Sequence, residues 1–101
     1  RDNKAVQFTY NNNQYNYGLI KRFIKVNDKL FLAIVNLLVQ SNEALRGTIE
    51  NEAFEVTHIK SFKRTNRILA IDTNTITAKK ICLPKKETIF LIDLVNRNES
   101  D

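Results

Sequence analysis

Apolar and polar residues alternate along most of this chain. Val6, Phe8 and Tyr10 alternate with Gln7 and Thr9, the period of two that marks a strand with one buried face. The polar stretch Asn11 to Asn16 predicts a turn joining this strand to the next as a hairpin. Tyr17 to Val26 predicts a second strand, with Ile20, Ile24 and Val26 on one side and Leu19 and Phe23 on the other. Apolar residues on both sides suit a sheet that curls into a small barrel. Arg22, on the Ile20 and Ile24 side, marks a bulge or an edge. Gly18 permits a bend or the close approach of another backbone.

Asn27-Asp28-Lys29 predicts a tight turn. Leu30 to Val39 has the length of either a strand or a helix. Phe31, Ile34, Val35 and Val39 favour the strand, and its apolar residues on both faces would make it the most buried in the sheet. Gln40 to Ala53 breaks the alternation. There Ser41 can cap one helical turn that Gly47 would end, in an acidic surface excursion. Phe54 to Phe62 resumes the alternation as one strand. Lys63 to Asn66 predicts a turn, Ile68 to Asp72 a strand, and Thr73 to Thr75 a connector of one helical turn. Ile76 to Leu83 and Thr88 to Leu94 form the last strand pair, with Pro84 ending the first because it has no N–H for a ladder. The expected fold is a single all-β domain over residues 1–101. It is a small barrel or sandwich of about seven short, mostly antiparallel strands with one irregular excursion.

Composition agrees with a folded domain and narrows the chemistry. The 101 residues are 43% hydrophobic, enough for one modest core. Cys82 is the only cysteine, so an internal disulfide and a cysteine-cluster zinc site are both excluded. Its apolar setting predicts a buried, reduced thiol, which fits a nuclear or alternatively a cytoplasmic location. The longest apolar stretch, Leu30 to Val39, is too short for a membrane-spanning helix, and Arg1 to Tyr10 lacks the apolar core of a signal peptide. No membrane partner and no small-molecule substrate are expected.

Catalysis finds little support. A nucleophile needs a base within reach, and the only histidine is His58. A triad of Cys82, His58 and Asp93 can be drawn, but nothing in the spacing singles it out. Only Gly18 and Gly47 are glycine, so a phosphate-cradling glycine loop is absent. No catalytic residue, metal ligand or cofactor is assigned.

The formal net charge is +5, and the cations are segregated. Lys60, Lys63, Arg64 and Arg67 surround one predicted turn, and Lys79, Lys80, Lys85 and Lys86 another. Between Val56 and Pro84 only Asp72 is acidic. Two basic turns on one side of a barrel would track a phosphate backbone, with Phe62, Tyr15 or Tyr17 as a stacking face. The plainer alternative is that these lysines solvate turns and guard sheet edges.

The second half also resembles a known family. Its pattern is an apolar strand (Ile68 to Ile71), a polar connector ending in isoleucine (Asp72 to Ile76) and a lysine-led apolar strand (Lys80-Ile-Cys-Leu83). A last apolar strand (Ile89 to Ile92) and the ending Asn96-Arg-Asn-Glu-Ser-Asp101 complete it. With Tyr17-Gly-Leu-Ile-Lys-Arg-Phe-Ile24, this resembles the small β-barrel near the C-terminus of proteins derived from DNA transposons, a domain similar to bromo-adjacent homology modules. Ala70 and Val95 stand where that family carries proline. The resemblance implies a non-catalytic accessory domain of a nuclear protein associated with DNA or chromatin. The alternative is a module for protein interaction or homo-oligomerisation through an exposed strand edge or apolar patch.

Overall fold

In the computed structural model, which describes residues 4–11, 14–56 and 59–93, nearly every alternating segment becomes a strand. The strands are β1 (Lys4–Tyr10), β2 (Gln14–Asn27), β3 (Leu30–Ser41), β4 (Leu45–Ile49), β5 (Glu52–Val56), β6 (Lys60–Asp72), β7 (Ile76–Lys85) and β8 (Thr88–Asp93). Six of them close an antiparallel barrel in the order β1-β2-β3-β6-β8-β7, and β4 and β5 form a separate two-stranded sheet.

The predicted connections hold at three points. Asn11 takes the left-handed conformation that asparagine tolerates, with φ of 50°, in the β1–β2 hairpin. Asn27 ends β2, and its Oδ1 accepts a 2.8 Å bond from the Lys29 amide. Thr73–Thr75 forms one 3₁₀ turn, capped by Asp72 Oδ1 accepting from the Asn74 amide at 2.9 Å. Gly18 supplies the expected close approach: a Cβ there would lie 3.0 Å from Val35 Cβ and 3.2 Å from the Asn36 carbonyl oxygen.

Several expectations are corrected. The helical turn at Ser41–Leu45 is absent, and the excursion is largely the β4–β5 hairpin, in which Gly47 faces Phe54. Phe54 and Phe62 belong to different strands and sheets, β5 and β6; residues 57 and 58 between them lie outside the described residues. Lys63 to Asn66 is not a turn, because β6 runs unbroken through it. Asn36 explains this. Its Nδ2 donates to the Thr65 and Arg67 carbonyls at 2.9 and 3.1 Å, and Thr65 Oγ1 donates to the Leu37 carbonyl at 2.7 Å. These bonds hold a bulge where Asn36 to Leu38 spans the same length as Ile68 to Arg64. Pro84 does not end β7, which continues to Lys85. Pro84 pairs with Ile89 of β8, and among the described residues β1 pairs with β7 only as far as Ile81, so no described strand needs an N–H from Pro84 on its other side. Finally, the longest buried run is Thr88 to Leu91 of β8, while β3 exposes Phe31 and Val39.

The sheet buries both of its faces. One cluster joins Ala5, Leu19, Leu38, Phe62, Ile89 and Leu91; the other joins Val6, Phe8, Ala33, Val35 and Ile71. Ala5 and Val6 are neighbours on β1, so the clusters lie on opposite faces. The strand β3 serves both, through Val35 and Leu38. In β2 a register shift between Ile20 and Arg22 inserts Lys21: Ile20 faces Val35, whereas Arg22 faces Ile34. Of the two readings of Arg22, a bulge or an edge, the structure has the bulge. It also puts Arg22 and Ile24 on the face opposite Ile20, which corrects the one-sided arrangement read from alternation.

Phe62 is 1% exposed, with its ring tilted against Tyr17 at a centroid separation of 4.8 Å. Phe62→Ala should cost about 3–5 kcal/mol. Tyr15→Ala, at a position 61% exposed, should stay within about 0.5 kcal/mol of the parent. Urea unfolding of both variants checks the contrast.

Candidate nucleic-acid interface

Strand register decides where the eight predicted phosphate contacts go. Lys63 of β6 lies opposite Thr88 of β8, and Thr88 lies opposite Lys85 of β7. That row joins residues from both basic groups. Lys86 follows at the β7–β8 turn, with φ of 59°, and a shallow cleft of about 290 Å³ is lined by Lys63, Arg64, Lys86 and Glu87. A neighbouring cleft of about 530 Å³ brings in Lys85 and Arg46, where Lys85 Nζ donates to the Arg46 carbonyl at 2.8 Å. Four predicted residues, Lys63, Arg64, Lys85 and Lys86, thus gather at one end of the barrel. Arg46 joins them unforeseen, because it sits in a locally acidic stretch and only the three-dimensional course of the chain brings it there.

The other four do not join this group. Lys60 and Lys80 line a separate cleft of about 420 Å³ with Gln7, Tyr17 and Asp93. Lys80 is opposite Asp93 in the ladder and forms a salt bridge with it. Only 15% of the Lys80 side chain is exposed, so its charge is largely committed to Asp93. The Lys80 ammonium holds the Asp93 carboxyl below its ordinary range, chiefly by hydrogen bonding. Lys79 is exposed on the opposite face of β7 from Lys80. Arg67 is exposed in the β6 bulge, its amide donating to Thr65 Oγ1 at 3.1 Å.

The proposed stacking residues also separate. Phe62 is buried in the core and presents no ring face, which corrects its assignment as a stacking residue. Tyr17 is half-buried against it, and Tyr15 remains exposed.

A second basic surface escaped the pattern-based reading. Every residue from Lys21 to Lys29 is exposed. This end of the β2–β3 hairpin carries Lys21, Arg22, Lys25 and Lys29 together with Phe23, Ile24, Val26 and Phe31. Alternation places Ile24 and Val26 on one side of the strand and Phe23 on the other, and does not mark any of them as exposed. The available signal was the local density of cations, which exceeds what a buried strand accommodates.

Cys82 is only partly buried, short of the full burial expected, and that partial burial raises its thiol pKa above the ordinary value, which disfavours the reactive thiolate. His58 lies outside the described residues, as does the closing stretch Asn96 to Asp101. Among the described residues, no three His, Cys, Asp or Glu side chains are grouped to hold a metal ion. No protein-family model, curated protein or solved structure matches this chain.

Glu43 tempers the basic cluster. Thr88 Oγ1 donates to Glu43 Oε1 at 2.7 Å, and Lys63 Nζ lies 3.0 Å from Oε2. The Thr88 hydroxyl first, then Lys63, lower the carboxyl's pKa. A folded-state pKa below the unfolded one stabilises the fold above the unfolded pKa, and this contribution is lost as pH falls through the folded value. Stability measured by urea unfolding should therefore decline on acidification through and below the ordinary carboxylate range. Glu43→Gln should make that decline shallower.

Proposed function

We propose that this domain is a non-catalytic accessory module of a nuclear, nucleic-acid- or chromatin-associated protein. Its phosphate contacts come from Lys63, Arg64, Lys85 and Lys86, with Arg46 beside them. The observation that carries this reading is the Lys63–Thr88–Lys85 row, which turns two basic segments distant in sequence into one cluster. Lysine and arginine side chains at such a cluster neutralise phosphates and release condensed counterions, so affinity falls steeply with salt. Glu43 offsets part of Lys63, leaving Arg64 and Lys86 as the stronger contributors. Lys60, Lys79, Lys80 and Arg67 are peripheral to this contact.

Titration of DNA and RNA over a salt series tests the reading. Binding should be detectable at low salt and weaken linearly on logarithmic axes. The triple variant Lys63→Glu, Arg64→Glu, Lys86→Glu should reduce the slope by about three. Absence of binding at low salt, or an unchanged slope in the variant, rules the cluster out.

A second reading has its own observation. Ile24 lies opposite Leu32, Arg22 opposite Ile34, Ile34 opposite Ala70, and Asn36 opposite Ile68. Ile24, Leu32, Ile34, Ile68 and Ala70 therefore share one face, on which Ile24, Ile68 and Ala70 are exposed. By the same pairings Arg22, Asn36 and Asp72 lie on this face too, and exposed apolar residues set among polar ones suit a protein partner or self-association. Light scattering should then show a dimer that Ile24→Asp and Ile68→Asp return to monomer, or a pull-down should retain a partner that the same changes release. A monomer that retains no partner excludes this reading.

A further inference from the structure

The projecting end of the β2–β3 hairpin carries its own binding chemistry. Phe23 lies opposite Ala33, and Lys25 lies opposite Phe31. Directly paired residues share a face, and Ala33 and Phe31 are two apart on β3, so Phe23, Lys25 and Phe31 all project from one face of the sheet. The ring-bearing residues are diagonal neighbours across the two strands. Phe23 is 57% exposed and Phe31 41%. Lys25 Nζ sits 5.9 Å from the Phe31 ring centroid, within cation–π range.

The surrounding charge is positive. Lys21, Arg22, Lys25 and Lys29 stand against a single carboxylate, Asp28, which lies 3.3 Å from Lys25 Nζ. Lys21 is the extra residue of the β2 bulge. Among the described residues, β1 pairs with β2 only from Gln14 to Leu19, so no described strand covers the outer edge from Lys21 onward.

We propose that this face binds single-stranded nucleic acid, with bases stacked on Phe23 and Phe31 and phosphates met by Lys21, Lys25 and Lys29. The proposal rests on the nucleic-acid reading above and adds the strandedness of the ligand and a second contact surface. Ring faces beside cations match a ligand that presents a π-face and a phosphate at each nucleotide. An acidic peptide would satisfy the lysines but leave the rings without stacking partners. Pairing of two copies along this stretch of β2 would bring lysine-rich strands together, which like-charge repulsion opposes.

Fluorescence anisotropy with a short labelled oligothymidylate, an oligouridylate and a duplex of equal length tests this. The single strands should bind more tightly than the duplex. Phe23→Ala and Phe31→Ala should each weaken single-strand binding by about tenfold, with an unchanged thermal melt because both residues are exposed. Lys21→Glu with Lys25→Glu should lower the salt slope by roughly two on the same probe. If neither ring substitution changes affinity while the Lys63, Arg64, Lys86 triple variant abolishes binding, the inference falls and the basic-cluster reading stands. If the parent protein binds none of the probes at low salt, both fall. Preference for the duplex would overturn the inference, as would a dimer dissolved by the ring substitutions with unchanged oligonucleotide affinity.

Discussion

The governing constraint is a sheet that must bury both of its faces. Ala5 and Val6, adjacent on β1, enter different apolar clusters. A simple half-buried strand would send one of them to water. Here the long strands β2, β3 and β6 curl so that each face finds its own core. The bulges follow from this demand, since strong curvature needs extra residues in one strand of a pair. Asn36 pins one such point by bonding to the Thr65 and Arg67 carbonyls. Lys21 supplies another, and by changing the phase of β2 it puts Phe23 on the same face as Ile20 and Arg22 on the other.

Much of this architecture was legible from alternation and turn chemistry. Val6 and Phe8 lie on a buried face, the β2–β3 turn falls on Asp28-Lys29, and the 3₁₀ turn occupies the predicted connector. The misread segments share a cause. Lys63 to Asn66 has the polar composition of a turn, but a partner 28 residues away, Leu37, takes the Thr65 hydroxyl bond. Pro84 would end a central strand, yet it pairs with Ile89 of β8, and among the described residues β1 reaches only Ile81 on its other side. Local composition cannot encode a bond or an edge that depends on a distant strand.

The charge distribution obeys the register as well. Lys79 and Lys80 look equivalent in sequence, yet alternation sends them to opposite faces, and only Lys80 meets Asp93. Lys63 and Lys85, 22 positions apart, flank the same threonine. Counting cations along the chain therefore overstates some of them and misses groupings such as Arg46 with Lys85. The side chains left with accessible charge matter more for phosphate attraction than formal net charge does.

Thr88 links these themes. It is buried in the same run as Ile89, Phe90 and Leu91, so its hydroxyl needs a partner. Glu43 provides that partner while also holding Lys63. One carboxylate thus satisfies a core hydroxyl, fastens the segment leading into β4, and offsets a cation of the basic cluster. Removing it would leave the Thr88 hydroxyl unsatisfied, a cost set by burial, even as it freed the charge of Lys63. Stability and the net positive charge of the cluster therefore pull against each other at Glu43, and the carboxylate sits where the core hydroxyl requires it.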